Sequence, residues 1–314
     1  MLKLEALLRR LPPTHSKVPL IKEELGKRKA GFKGEVSLDF PLDLIHKKKY
    51  FILHDLRLPS GPHYLQIDTL LLSEKFILIL EVKNISGILY FDTIYKQLFR
   101  VKDGEETVFP CPLMQIERHE MLFKEWVLNN GFPTVPVYSM VIISNPHTGI
   151  KTIPSNIRLN NKIVHKNNLP SKIDSIEEYL NQNSLPEKFL KKMIRMLKKQ
   201  NSEADPDILK RFQIEEREIL RGIHCPDCNY LPLKRLKRTW HCPECRKNSH
   251  NAHIQALSDF YLLIGDSITN KRFREFLLLA SPITATRLIK SLNFPHSGAN
   301  KSRKYTIVFQ DSDK

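Results

Sequence analysis

The sequence predicts an α/β fold: a helix, a meander of three strands, a second helix and a further strand, then a small cysteine-built module and a mainly helical C-terminal part. Two observations carry this. Residues 50–58, 64–72 and 75–82 are runs rich in Ile, Leu, Phe and Tyr, separated only by Pro59-Ser60-Gly61-Pro62 and Ser73-Glu74, as in a strand meander. A helix over Pro112–Asn129, with Leu113, Ile116, Phe123 and Trp126 as its apolar stripe and Gly131 as its stop, leads into residues 135–144, whose unbroken apolar character fits a strand buried on both faces. With 41% apolar residues in 314, a sizeable core can form and global disorder is excluded.

The elements follow in order. Residues 1–22 are basic, broken by Pro12-Pro13, and read as a loosely attached N-terminal arm. Residues 23–150 form the α/β domain. Its first helix is expected over 23–44 from the spacing Phe32, Val36, Phe40, against which Gly31 and Gly34 count. Residues 87–91 and 97–101 read as a further hairpin. Residues 151–221 form an extension, with a short strand at 162–165, a helix near 173–180 and a basic amphipathic helix over Glu187–Gln200 that carries Phe189, Met193 and Leu197 on one side. The cysteine module spans 222–253, and residues 254–314 are helical with a terminal strand at 305–309.

Lys plus Arg number 50 against 34 acidic residues, a formal charge of +16. Such an excess favours a polyanionic partner, because cations that neutralise phosphates release condensed counterions. A basic surface kept for solubility is the plainer alternative. No apolar run approaches the ~20 residues of a spanning helix. The first ten residues lack the continuous apolar stretch of a secretion signal, and four of five cysteines form CxxC pairs suited to a metal in a reducing compartment. A cytoplasmic protein without a membrane partner is expected.

Three charged residues sit where strands should be apolar: Asp68 within Leu65–Leu72, and Glu81 and Lys83 at the end of Ile77-Leu78-Ile79-Leu80-Glu81-Val82-Lys83. Buried ionised groups are costly unless paired or bound to a metal. Period two puts Glu81 and Lys83 on one face, and a hairpin brings Asp68 beside Glu81. Two carboxylates can hold Mg²⁺ or Mn²⁺, which activate water and offset charge on a phosphate, while the ammonium orients water or stabilises the transition state. A cross-strand salt-bridge set explains the same residues without chemistry.

The ordered stretches Gly31-Phe32-Lys33-Gly34-Glu35, His54-Asp55-Leu56-Arg57-Leu58-Pro59, Gln66-Ile67-Asp68, Glu81-Val82-Lys83-Asn84-Ile85-Ser86-Gly87 and Pro112-Leu113-Met114-Gln115 resemble the NERD (nuclease-related domain) family of the PD-(D/E)xK nuclease superfamily. The resemblance spans about residues 27–145. It implies a restriction-endonuclease-like core and a divalent-metal-dependent nuclease acting on phosphodiester bonds; DNA is expected as substrate before RNA. It further implies that Glu35, Asp68 and Glu81 bind metal, that Lys83 serves the attacking water and that Gln115 lies beside it. Ile67 stands where the superfamily name has proline, which does not touch the chemistry. Because some relatives in the superfamily only bind, a non-catalytic nucleic-acid-binding protein on the same fold is the alternative. His119, one turn after Gln115, reads as a packed or solvent-side histidine in preference to a phosphate contact, and Cys111 as a small buried apolar residue.

Cys225, Cys228, Cys242 and Cys245 form CxxC, thirteen residues, CxxC, the spacing of a structural Zn²⁺ site in a zinc ribbon. Lys234, Arg235, Lys237, Arg238 and Trp240 lie in the intervening hairpin. They can grip phosphate and stack on a base, or form an ordinary hairpin whose Trp packs over the metal; both readings stand. Residues 271–280 and 285–292 resemble a helix pair, followed by a basic segment at 301–304 and the strand. This is the outline of a winged helix-turn-helix, with Arg287 and Lys290 facing nucleic acid, and equally of a plain helical packing element.

Overall fold

The structure is a computed structural model and describes residues 1–45, 49–155, 159, 161–180, 185–299 and 302–309. The chain divides into two compact units, Arg28–Ala204 and a second that joins Met1–Lys27 to Asp205–Lys314. It opens with α1 (Leu2–Arg10) and α2 (Val18–Val36), the latter ending inside the Arg28–Ala204 unit.

Within that unit α3 (Asp39–Asp43) precedes β1 (Phe51–Ser60), β2 (His63–Leu72) and β3 (Ile77–Lys83). Then come β4 (Ile88–Asp92), β5 (Gln97–Lys102), β6 (Glu105–Pro110), α4 (Pro112–Asn129), β7 (Val137–Ile143), β8 (Gly149–Ile153), β9 (Ile163–His165), α5 (Leu169–Tyr179) and α6 (Glu187–Gln200). The main sheet has the order β1-β2-β3-β7-β9: the meander is antiparallel, and β7 and β9 add in parallel. Parallel pairing of β3 with β7 needs a long crossover, which α4 supplies. One face of the sheet, through Leu70, Leu72, Ile77 and Ile79, packs against Phe123 and Trp126 of α4 and Leu190, Met193 and Leu197 of α6. The other face, through Leu71, Leu78 and Leu80, packs against Leu42 of α3 and Ile173 of α5. A second sheet, β6-β5-β4-β8, shares the cluster of Leu89, Phe91, Leu98, Ile116 and Val141.

The restriction-endonuclease-like order of elements is thus present, with three local differences. The first helix starts at Val18 and stops at Val36, not at 23 and 44, and Phe32, Val36 and Phe40 are exposed. The helix breaks at Ser37, whose hydroxyl donates to the Gly34 carbonyl at 2.6 Å, and the shifted turn sends Leu38 and Leu42 inward instead. Strand β6 extends the expected hairpin. It carries no apolar alternation because most of its residues face solvent.

In the second unit the chain resumes with α7 (Ile208–Phe212), β10 (Lys234–Leu236), β11 (Thr239–His241), β12 (Asn248–Ser249), α8 (Ala252–Leu263) and β13 (Ser267–Thr269). It ends with α9 (Asn270–Leu277), α10 (Pro282–Ser291), β14 (His296–Ser297) and β15 (Lys304–Thr306). The terminal strand expected over 305–309 is therefore three residues at 304–306, paired antiparallel with both β13 and β14. Of the basic segment 301–304, Lys301 lies outside the described residues.

Residues 1–22 are not a loose arm. Leu4, Leu7, Leu11 and Ile21 enter one core with Phe212, Trp240, Phe260, Phe273 and Ile289. Arg10 is fully buried, its Nε 2.8 Å from Asp259 Oδ2 and its Nη1 donating to the Gly222 carbonyl at 2.7 Å, while Arg9 Nη2 meets Asp259 Oδ1 at 2.7 Å. The apolar spacing Leu4, Leu7, Leu11 is that of an amphipathic helix face, which the surrounding basic residues obscure. Residues 151–221 likewise divide: α5 and α6 belong with the sheet, and α7 belongs with the terminal unit. No helix among the described residues is long and apolar enough to cross a membrane.

Candidate active site

The site forms where β2 and β3 part company. Their ladder ends at Thr69 opposite Leu80, and beyond it the Val82 N–H donates to the Asp68 carboxylate (Oδ2, 2.8 Å) instead of to a strand carbonyl. The cause lies in β1 and β2. Asp55, opposite Asp68, adopts a left-handed conformation at φ 48°, and no strand pairing forms between His54–Thr69 and Leu56–Ile67. Side-chain alternation slips there, so that Leu65 and Ile67 lie in the same cluster as Leu70 and Leu72. Asp68 thereby takes the parity of Leu70 and Leu72 and shares the α4 face with Glu81 and Lys83.

On β3, Lys83 Nζ donates to Glu81 Oε1 at 2.7 Å and to Gln115 Oε1, from the first turn of α4, at 3.1 Å. Glu81 is 3% exposed, and its second oxygen, Oε2, is buried without a hydrogen-bond partner. His119, also buried, places Nδ1 at 3.6 Å from that oxygen, and its Nδ1 is likewise unpartnered. Burial, more than any neighbour, holds the His119 pKa below its usual value. Of the readings the sequence offers for His119, one turn after Gln115 on the same helix face, the packed histidine is the one found.

Asp68 is pushed up to about 7, first by burial and then by the charge of Glu81, although the Val82 N–H opposes the rise. Glu35, in the last turn of α2, is also raised, by burial and by the charges of Asp55 and Glu81. Its delivery depends on Gly34: a Cβ there would stand 2.8 Å from Cβ of Asn84 and 3.1 Å from Oγ of Ser144, so only glycine lets the helix approach the ends of β3 and β7 this closely. The glycine that weakens the helix in sequence terms is therefore what seats it. Asn84 Nδ2 adds a bond to the Ala30 carbonyl at 2.8 Å.

The structure thus brings Asp68, Glu81, Lys83 and Gln115 together, with Glu35 within electrostatic reach. Carboxylates outnumber the one ammonium, and both Asp68 and Glu35 are held less acidic than ordinary carboxylic acids, first by burial and then by neighbouring like charge. A buried carboxylate oxygen with no donor is the kind of atom a hard divalent cation takes. Among the described residues, however, only the four cysteines have ligand atoms all within 4.8 Å of one another; the three carboxylates are more widely spread.

That cysteine cluster is built from two matching knuckles. In each, the N–H four residues on (Asn229, Arg246) donates to the first cysteine's carbonyl at 3.0 Å. The first cysteine's own N–H reaches the carbonyl five residues on (Tyr230, Lys247), at 2.8 and 2.9 Å. Asn229 and Arg246 both have φ 60°, which closes the turn. Sγ–Sγ distances of 3.6 Å for Cys225–Cys245 and Cys228–Cys242 are too long for a disulfide. They match the edges, about 3.8 Å, of a tetrahedron with Zn–S bonds of about 2.3 Å. The four cysteines can hold a zinc ion and fit a zinc ribbon, with β10, β11 and β12 as its sheet.

The remaining candidate contacts separate clearly. Lys234, Lys237 and Arg238 are exposed on the ribbon hairpin. Trp240 is 1% exposed, donates from Nε1 to His253 Nδ1 at 3.2 Å, and shares a core with Cys225 and Cys242. Of the two readings of the hairpin, the packed tryptophan is the one found, and Trp240 has no free face for a base. Arg235 is partly buried, its guanidinium 4.7 Å from the centre of the Trp240 ring. Arg287 and Lys290 are exposed on α10.

With this geometry in hand, the family model described as NERD, nuclease-related domain, matches residues 30–144, and the chain carries that domain there. The match runs from just before Glu35 to Ser144 and contains every residue of the candidate site. No curated protein and no solved structure matches the chain.

Proposed function

We propose that the chain hydrolyses phosphodiester bonds in nucleic acid, in DNA before RNA, at the site of Glu35, Asp68, Glu81, Lys83 and Gln115. The observation that carries this reading is the position of Lys83: an ammonium held between a buried glutamate and a glutamine, at the edge of a carboxylate group that lacks enough positive charge. A structural ion pair needs one partner for Lys83, and the additional carboxylates of Asp68 and Glu35 would then be an unrelieved liability.

Asp68 and Glu81, with Glu35, would hold Mg²⁺ or Mn²⁺, whose charge would lower the pKa of water and stabilise the phosphate in the transition state. Gln115 fixes Lys83 Nζ, and His119 packs beside the free oxygen of Glu81 so that this carboxylate keeps one orientation. Lys83 Nζ orients the attacking water and offsets charge on the phosphoryl oxygens. Water oxygen bonds to phosphorus and gives up one proton to solvent, the bond from phosphorus to the leaving ester oxygen breaks with its electron pair, and that oxygen takes up one proton from solvent. The zinc would be structural, since four thiolates leave it no open position. The ribbon and the C-terminal part would bind the nucleic acid, and four unpaired thiols suit a cytoplasmic, reducing location.

The test is cleavage of labelled single- and double-stranded DNA and RNA with Mg²⁺ or Mn²⁺, wild type beside Asp68→Ala and Lys83→Ala. Cutting by wild type alone, strongest on DNA, supports the proposal. Salt-sensitive binding without cutting by any of the three would replace it with a binding protein.

A further inference from the structure

The C-terminal run α8-β13-α9-α10-β14-β15 closes into a three-stranded antiparallel sheet of order β13-β15-β14. Helices α9 and α10 are joined by the four residues 278–281, in which Leu278 takes φ 57° and Ser281 caps α10 by accepting from the Thr284 N–H at 3.2 Å. Asn270 on α9 locks the pair, donating to Thr286 Oγ1 at 2.9 Å and to the Pro282 carbonyl at 3.3 Å. Two helices on a short turn, followed by a hairpin that pairs back onto the strand before them, have the element order of a winged helix-turn-helix.

The second helix of this arrangement has one buried and one open face. Ala285, Leu288 and Ile289 enter the core. Ile283, Arg287 and Lys290, at spacings of four and three, are exposed on the opposite side. Neither Arg287 nor Lys290 has an ion-pair partner among the described residues. The charge of the region is one-sided: from Phe276 to Gln310 the sequence holds five Lys or Arg and no Asp or Glu. Lys304 stands exposed on the hairpin, and Arg303 beside it has a buried Nε with no hydrogen-bond partner. A helix that only packed would not need its outer face and the adjoining hairpin stripped of every carboxylate.

We propose that α10 and the β14–β15 hairpin form a binding surface for B-form duplex DNA, with α10 in the major groove and the hairpin against the flanking backbone. An α-helix fits a groove about 12 Å wide, whereas the deep, narrow major groove of A-form RNA excludes it. Arg287 and Lys290 reach phosphates or base edges, and Ile283 lies at the end of the face where an apolar contact to a thymine methyl can form. The proposal rests on the nucleic-acid reading of the C-terminal part and not on turnover at Lys83.

The test is fluorescence anisotropy of the full, zinc-loaded chain with a labelled DNA duplex, the matching single strand and an RNA duplex, without added Mg²⁺ or Mn²⁺ so that no cutting intervenes. Wild type should bind duplex DNA most tightly. Arg287→Ala with Lys290→Ala should weaken that binding about tenfold or more and reduce the slope of log affinity against log salt by about 2. Both residues are exposed, and an unchanged melting temperature shows that the double variant folds. Unaltered duplex affinity, equal affinity for the single strand, or loss confined to Lys234→Ala with Lys237→Ala and Arg238→Ala in the ribbon would overturn the proposal. Cleavage is read in separate reactions with metal, so failure of the nuclease reading leaves this result interpretable.

Discussion

Asp68→Asn separates the requirements of the candidate site from those of folding. Asp68 moves from an ordinary value of 3.8 to about 7, chiefly through burial and the charge of Glu81. A group raised in this way contributes stability that is fully present below its ordinary value and lost as pH rises through about 7. At 1.36 kcal/mol per tenfold change in proton affinity, ionising Asp68 at pH 8 costs the metal-free protein at most about 4 kcal/mol, and relaxation of the site brings this to about 2–4 kcal/mol. Asparagine removes that cost and keeps an oxygen for the Val82 N–H. In urea denaturation of the zinc-loaded chain without Mg²⁺ or Mn²⁺, Asp68→Asn should be more stable than wild type at pH 8, with the advantage fading towards pH 5. Added Mg²⁺ should stabilise wild type and not the variant. A variant no more stable at pH 8, or an advantage independent of pH, would refute the argument that Asp68 is an unrelieved buried charge.

Three further outcomes follow from other parts of the molecule. His253, which accepts from Trp240, is held down to about 4, mainly by burial; its contribution is complete above pH 6.5 and is lost between 6.5 and 4, by about 3 kcal/mol. His253→Gln, which keeps an acceptor but does not titrate, should flatten that part of the stability curve measured by denaturation, and an unchanged slope would contradict the assignment. Asp259→Ala strands the buried Arg10 and should cost about 3–5 kcal/mol, read as a fall in denaturation midpoint, with no loss meaning that α1 is not held as described. Cys228→Ser, at an exposed position, should lower bound zinc well below one per chain by elemental analysis, and full retention would exclude the four-thiolate site.

The core was readable because its strands and helices announce themselves by period: α4 and α6 begin and end where the apolar stripes and Gly131 place them, and β7 is as buried as its unbroken apolar run requires. The pairing of Glu81 with Lys83 followed from strand parity alone. Other features depend on tertiary context. Phe32, Val36 and Phe40 have the spacing of a core stripe yet face solvent, since the break at Ser37 turns Leu38 inward. The slip at Asp55 and Asp68 cannot be read from alternation because it is a departure from alternation. Trp240 looked able to stack on a base, and only the packing of α8 and its His253 shows it enclosed. Basic residues hid the apolar face of α1 for a simpler reason: charge dominates composition, whereas burial follows position.

The central claim is that Lys83 sits in a working phosphodiesterase site, and the most direct test is the single-turnover rate of cutting a labelled DNA duplex with saturating Mg²⁺, wild type against Lys83→Ala. Loss of a positioned ammonium in the transition state predicts a rate lower by about 10²–10⁴, with the variant's melting temperature near that of wild type. Equal rates would show that Lys83 only balances Glu81, and the catalytic reading of the site would fall.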